Sequence, residues 1–129
     1  MPRRSYVDLS RRERQIMDAI YRRGRASVAD VLDDIPEPPS YSAVRAMMAK
    51  LEEKGELGHE RDGARYVYFP IRPLEETTET VLRRMMRTFF DGSPSRAVAA
   101  VLDLSDGTLS EAELDELADM IEDARARGR

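Results

Sequence analysis

The chain has 129 residues, of which 41% are hydrophobic and 36% are charged, enough for one domain with a short appendage. It contains no cysteine, which excludes a disulfide framework, a thiolate metal site and a cysteine nucleophile and fits a cytoplasmic protein. The net charge of −4 is unevenly divided, because residues 1–72 hold 14 Lys/Arg and 12 Asp/Glu whereas residues 73–129 hold 7 Arg and 13 Asp/Glu. A mildly basic front half and an acidic back half predict two different roles.

The N-terminal segment lacks the apolar stretch of a signal peptide, and no apolar run approaches the roughly 20 residues of a membrane span. The first helix is predicted to begin at Ser10, which forms a capping box with Glu13. Gly24 is predicted to end this helix. Its apolar face is formed by Ile16, Met17 and Ile20.

A second helix is predicted after Ser27, with apolar residues at helical spacing. They are Val28, Val31, Leu32 and Ile35. The residues 25–27 are candidates for a very short strand. The prolines of 36–39 then interrupt the helical pattern. Ser40 or Ser42 caps a third helix, which ends at Gly55.

A two-stranded ribbon is predicted directly after the third helix, with a turn at Asp62-Gly63. Three helices followed by a charged ribbon are typical of a winged helix-turn-helix, in which the third helix enters the DNA major groove and the ribbon contacts the adjacent backbone or minor groove. The predicted fold is therefore mostly α with a small β-hairpin, with a winged-helix DNA-binding domain at 1–72 and a helical dimerisation domain at 73–129.

The predicted DNA surface combines the outer face of the third helix with the ribbon. Its members are Ser42, Ala43, Arg45, Ala46, Lys50, Arg61 and Arg65. Arg45 is expected to read a base edge and Lys50 to hold a phosphate, whereas the alanines offer only methyl contacts. The alternative for Arg45 and Lys50 is an ordinary solvated helix face. The alternative for Arg61 and Arg65 is a cross-strand ion pair with Glu60 or Asp62. Further candidate phosphate contacts are Arg11, Arg12, Arg14 and Lys54.

Three more helices are predicted after Pro73, over about 74–90, around 97–102 and from Ser110 onward. Their apolar stripes are too narrow to form a separate core, which favours a homodimer. The candidate dimer residues are Leu82, Met85, Met86, Phe89, Leu114, Leu117 and Ile121. The alternative is a monomer in which these helices fold back on 1–72.

No catalytic or metal-binding pattern stands out, so the sequence predicts neither an enzyme nor a cofactor. His59 is the single histidine and has no cysteine or second histidine beside it. The acidic residues of 111–123 are interpreted as a solvated helix face. The methionine pairs Met47–Met48 and Met85–Met86 are interpreted as packing residues.

The chain resembles the penicillinase repressor family of bacterial regulators over most of its length, from Leu9 to about Ile121. The resemblance is carried by short segments in a consistent order and spacing, namely Leu9–Tyr21, Ser27–Leu32, Tyr41–Val44, Leu51–Gly55, Tyr66–Pro70, Phe89–Ser93 and Leu109–Leu114. It implies a homodimeric winged-helix repressor on a palindromic operator, controlling β-lactam resistance and signalled by a membrane sensor-protease. The copper-responsive branch has a cysteine-rich metal site, which a chain without cysteine cannot form.

Three positions depart from the family pattern. Ile20-Tyr21 stands where Leu-Trp is usual, and Ala43 and Ala46 stand where the third helix usually carries threonines. At the position of the family's Asn-Phe cleavage dipeptide the chain has Asp103-Leu104. Two hydroxyl contacts to DNA are therefore missing, and cleavage of the well-studied type is not expected.

Two further function classes stay open on the sequence alone. One is a winged-helix regulator of another class that senses a ligand. The other is a winged-helix protein-interaction module that has lost DNA binding, which the small basic excess and the two alanines permit.

Overall fold

The computed structural model describes residues 6–128 and consists of six α-helices, one short 3-10 helix and a two-stranded antiparallel sheet within that range. In chain order, after the 3-10 helix Tyr6–Asp8, the elements are α1 Arg11–Arg23, α2 Val28–Asp34, α3 Tyr41–Glu53, β1 Leu57–Asp62, β2 Arg65–Pro70, α4 Leu74–Phe89, α5 Pro94–Leu104 and α6 Glu111–Arg127. The predicted fold class, helical with a small β-hairpin, is confirmed. The chain divides into two compact units, up to residue 85 and from residue 86. The functional boundary at 72/73 stays a prediction.

The helix starts follow the predicted capping residues. In the capping box of α1, Ser10 N–H donates to Glu13 Oε1 at 2.9 Å and Glu13 N–H donates to Ser10 Oγ at 3.2 Å. Ser27 and Asp30 repeat this arrangement in α2, at 3.0 and 3.1 Å. The side chain of Ser40 accepts from the third residue of α3, so Ser40 is the cap of that helix. Reciprocal bonds of this kind satisfy donors that a helix start otherwise leaves unpaired.

The end of α3 fixes the direction in which the chain enters the sheet. Gly55 has φ +81°, a conformation that glycine adopts without steric cost. Its N–H donates to Glu52 O at 3.0 Å, and Glu56 N–H donates to Leu51 O at 2.9 Å. These two bonds form a Schellman motif, which reverses the chain directly into β1.

The core of the first unit lies between α1, α2, α3 and the sheet. Its most deeply buried side chains are Ile16, Met17, Ile20, Val31, Val44, Met48, Leu51 and Leu57. Those of α1 and α2 belong to the apolar stripes that the sequence indicates. Helix α3 contributes Val44, Met48 and Leu51 to this core, so one side of that helix is buried along its length.

The sheet is anchored to the helices through a short third partner. Strands β1 and β2 pair from Leu57↔Pro70 to Asp62↔Arg65. Ala26 forms an isolated antiparallel bridge with Tyr68, with N···O distances of 3.0 and 2.8 Å. The very short strand predicted at 25–27 is thus present as this bridge, and it ties the ribbon to the end of α1.

The beginning of α4 packs against α1. Thr77 is 8% exposed, and its hydroxyl lies 2.7 Å from the Tyr21 hydroxyl. The same hydroxyl of Tyr21 donates to Arg72 O at 3.2 Å. Nearby, the side chains of Arg72 and Glu56 form a buried ion pair at 3.4 Å. These contacts place the start of α4 within the first unit.

The second unit has few buried side chains of its own. Within the described residues from 86 onward, no residue of α5 or α6 is buried. Its exposed large apolar side chains are Phe89, Val98, Val101, Leu102, Leu104, Leu114, Met120 and Ile121. Between residues 6 and 128, no helix combines the length and apolar character needed to cross a membrane.

Candidate nucleic-acid interface

Helix α3 presents a polar face because its apolar face is fixed in the core. Val44, Met48 and Leu51 are all 0% exposed. Since these positions occupy one side of the helix, the residues on its opposite side point outward. The outward side chains that the sequence analysis selected are Ser42, Arg45, Ala46 and Lys50. The structure therefore brings these four onto one exposed surface.

The remaining predicted residue of α3, Ala43, is half-buried. Its backbone N–H donates to the side-chain hydroxyl of Ser40 at 3.1 Å. Because Ser40 provides the cap, the hydroxyl of Ser42 is not needed for that task. An exposed hydroxyl in the first turn of a helix lies beside backbone N–H groups that favour an anion.

Arg45 and Lys50 have no acidic partner within the described residues. Within residues 6–128, neither side chain forms an ion pair or a hydrogen bond to another side chain. Two exposed cations without an ion-pair partner are available to phosphate groups, even though the whole chain is acidic.

The ribbon β1–β2, called the wing below, carries its two predicted arginines on opposite faces. In the cross-strand register, Arg61 lies opposite Tyr66, and Arg65 lies opposite Asp62. The guanidinium of Arg61 lies 5.8 Å from the centre of the Tyr66 ring, a cation–π arrangement. Arg65 forms an exposed ion pair with Asp62 at 3.5 Å. The predicted cross-strand alternative thus describes Arg65, although an exposed pair of this kind is weak.

A shallow cleft separates α3 from the wing. It encloses about 280 Å³, and its lining includes Tyr41, Arg45, Arg65, Tyr66 and Tyr68. Tyr41 and Tyr66 are 55% and 47% exposed. Sequence analysis did not select these two tyrosines. Tyr41 is the first residue of α3 and Tyr66 the second residue of β2.

The wing is further attached to the body of the unit by polar side chains. Arg25 forms an ion pair with Glu60. His59 Nδ1 lies 2.6 Å from Glu52 Oε2, which joins β1 to the last turn of α3. Burial raises the pKa of Tyr68, and the nearby Glu52 carboxylate adds to that effect. The hydroxyl of Tyr68 therefore stays protonated and neutral in the physiological range.

Two of the candidate phosphate contacts are engaged elsewhere in the first unit. Arg12 donates to the carbonyl oxygens of Pro36 and Glu37 at 3.0 and 3.2 Å. Lys54 forms an ion pair with Glu13. Burial disfavours the Glu13 carboxylate, but hydrogen bonds from Lys54 and Ser10 outweigh burial and hold the pKa of Glu13 below its ordinary value. Arg12 thus joins α1 to the segment after α2, and Lys54 joins the end of α3 to α1.

Arg11 and Arg14 lie in the first turn of α1 and are exposed and half-buried, respectively. Their role as phosphate contacts stays a prediction. Among the described residues, no cluster of three histidine, cysteine or acidic side chains is arranged to hold a metal ion.

The second unit contains the dipeptide Asp103-Leu104, which stands at the position of the family's cleavage dipeptide. Asp103 and Leu104 are the last two residues of α5, and Leu104 is 88% exposed. The next residue, Ser105, donates its N–H to Val101 O and Leu102 O at 3.0 and 3.1 Å. The dipeptide is therefore accessible but held in helical geometry.

The sequence matches the family model described as penicillinase repressor over residues 9–123. The penicillinase repressor of Bacillus licheniformis is 23% identical over 121 residues, which cover 92% of this chain and 93% of that protein. One similar solved structure is that of Bordetella bronchiseptica BpsR, whose DNA binding is regulated by 6-hydroxynicotinic acid. The two structures match with a TM-score of 0.47 at 15% identity, and the match covers 90% of this chain and 75% of BpsR. Another is the archaeal chromatin protein TrmBL2, with a TM-score of 0.44 at 20% identity, covering 81% of this chain and 39% of TrmBL2.

The match to the family model begins just before the cap of α1 and ends within α6, so it includes α3, the wing and most of the second unit. It agrees with a winged helix-turn-helix whose third helix exposes unpaired cations. The chain belongs to the penicillinase repressor family of DNA-binding transcriptional repressors.

Proposed function

We infer that the chain represses transcription as a homodimer on a palindromic operator, with α3 in the major groove and the wing on the neighbouring backbone. The observation that carries this proposal is the outward face of α3, where Arg45 and Lys50 form no ion pair within residues 6–128. Both cations are therefore available for base and phosphate contacts, beside a wing that carries Arg61 and Arg65.

Dimerisation is supported by the apolar side chains that the second unit leaves exposed. Phe89 is 75% exposed and Ile121 is 54% exposed. Removing large apolar side chains of this kind from water lowers the free energy. A second copy of the same chain offers matching stripes, and a two-fold dimer places two α3 helices on one DNA face.

The proposal is tested by selecting duplexes from a randomised pool with the purified full-length chain and then footprinting the selected site. We expect two protected half-sites related by a dyad, about one helical turn apart. Protection of a single half-site by one protomer contradicts the dimeric arrangement. Failure to enrich any sequence contradicts sequence-specific DNA binding and favours a protein-interaction module.

We further infer that the regulated genes confer β-lactam resistance. This inference is supported by the family match and by the name of the Bacillus licheniformis relative. The selected site is expected upstream of a gene for a penicillin-hydrolysing enzyme. Its occurrence only beside unrelated genes contradicts this part of the proposal and leaves DNA binding unaffected.

A further inference from the structure

One face of the wing carries a continuous row of stacked side chains that runs from α3 to the tip. Register places His59 beside Tyr68, and Arg61 beside Tyr66. The His59 ring meets the Tyr66 ring edge-on, with centroids 4.9 Å apart and planes at 79°. The centre of the Tyr68 ring lies 5.5 Å from the centre of the His59 ring. The row ends where the Arg61 guanidinium lies over Tyr66.

The inner end of this row is fixed and the outer end is exposed. Tyr68 is 7% exposed, and Glu52 of α3 holds the His59 ring through Nδ1 at 2.6 Å. Tyr66, in contrast, is 47% exposed and is steadied on this face by His59 and Arg61. The order of the exposed ring, and of the guanidinium over it, therefore depends on the imidazole.

We propose that His59 is a positioning residue for DNA binding: anchored by Glu52, it orients the Tyr66 ring, which in turn holds Arg61 ready for the DNA backbone or minor groove. This inference rests on the proposed function. A long arginine side chain loses rotamer entropy when it binds a phosphate, and a side chain already held in place loses less. Arg65 is the matched comparison, because it lies at the same tip and pairs with Asp62 instead of joining the row.

If the inference is right, the loss of operator affinity caused by removing His59 depends on the presence of Arg61. A cation–π contact at an exposed site contributes about 0.5–1 kcal/mol, which corresponds to roughly two- to fivefold in affinity. His59→Ala is therefore expected to weaken operator binding about two- to fivefold. In an Arg61→Ala background the same substitution should have no further effect. In an Arg65→Ala background it should retain its full effect.

A second pair of variants separates the ring from its hydroxyl. Tyr66→Phe keeps the ring and is expected to bind like the unaltered chain. Tyr66→Leu removes the ring and should bind like His59→Ala. Because Tyr66 is half exposed, neither substitution disturbs the core.

The experiment is a set of titrations of the full-length variants against a fluorescein-labelled duplex of the selected operator, at several salt concentrations. We expect coupling between His59 and Arg61, additivity between His59 and Arg65, and the loss of about one phosphate contact from the salt slope in Arg61→Ala. Equal costs of His59→Ala in the Arg61→Ala and Arg65→Ala backgrounds overturn the inference, as does a Tyr66→Phe variant as weak as Tyr66→Leu. If the unaltered chain binds the duplex and these patterns are absent, only this inference fails; if the unaltered chain does not bind, the proposed function fails with it.

Discussion

Arg45 and Lys50 lie on the same exposed face of α3, yet their expected roles differ. Arginine is the commonest reader of guanine, because its fork matches two acceptors in the major groove, whereas lysine binds phosphate as a point charge. Arg45 also lines the cleft beside the wing, and Lys50 lies more than a turn further along the helix.

Arg45→Ala is expected to cost roughly 1–3 kcal/mol on the operator and to relax preference at one base position. Lys50→Ala should weaken operator and scrambled DNA alike and lower the salt slope by about one contact. Titrations of both variants on both DNAs decide between these roles. Equal weakening of both DNAs by Arg45→Ala would reduce Arg45 to a backbone contact.

Glu13 connects the stability of the first unit to pH. Its pKa is lowered in the folded protein, so the ionised carboxylate favours folding above the ordinary value of 4.5, and that contribution is lost as the pH falls through the lowered value. Glu13→Gln can keep the bond to the helix start and loses the charge that pairs with Lys54.

We expect Glu13→Gln to lower the free energy of unfolding by about 1–2 kcal/mol at neutral pH, with the difference shrinking below pH 4.5. Urea denaturation between neutral and acidic pH measures it. The control is Glu113→Gln in the exposed capping box of α6. A pH-independent difference for Glu13→Gln would show that the carboxylate charge contributes nothing.

Most elements were predictable because their signals are local. The caps Ser10, Ser27 and Ser110 all begin helices as expected, and the glycine at 55 ends α3. The assignments that local sequence could not supply depend on distant partners. Lys54 meets Glu13 across 41 positions, and Tyr21 meets Thr77 across 56. Neither periodicity nor capping signals encode such contacts. The ion pair of Lys54 with Glu13 and the packing of α4 against α1 are therefore seen only in the folded structure.

The same reasoning explains how much of the candidate site was predictable. The outward face of α3 follows from helical period once the buried face is known, and Arg45 and Lys50 were chosen in this way. Tyr41 and Tyr66 were missed because an aromatic residue in an amphipathic segment is usually a core residue, and only packing shows that these two are exposed.

The end of α5 carries the dipeptide that stands at the position of the family's cleavage dipeptide. Compared with the family's Asn-Phe, Asp103 adds a negative charge and Leu104 lacks the aromatic ring. Both residues lie within α5. We expect no cut there when the chain is co-expressed with a sensor-protease of the well-studied type. Intact mass measurement detects the fragments.

The matched variant for that experiment carries Asp103→Asn and Leu104→Phe together, which restores the family dipeptide. Cleavage of this variant alone would show that the dipeptide determines resistance. A cut between residues 103 and 104 of the unaltered chain would contradict the prediction. Release from DNA then follows the family's proteolytic route.

At the scale of the whole molecule, the expected dimer depends on the stripe Leu114, Leu117 and Ile121 of α6. Leu117→Asp is expected to convert the dimer to a monomer, because an interface that excludes water cannot hold an unpaired carboxylate without a large cost. Light scattering at micromolar concentration measures the mass. Glu116→Ala, on the acidic side of the same helix, should leave it unchanged. A monomeric unaltered chain at that concentration would contradict the dimer.

The two-stranded wing also has a bearing on solubility. Within residues 6–128 the outer edge of β1 has no strand beside it, whereas Ala26 occupies part of the edge of β2. An open edge offers backbone groups on which another copy can add a strand, the first step toward fibres. Four of the six β1 residues, His59 to Asp62, are ionisable, and charged edges of this kind resist such addition. These ionisable side chains thus protect the open edge of β1 against edge-to-edge aggregation.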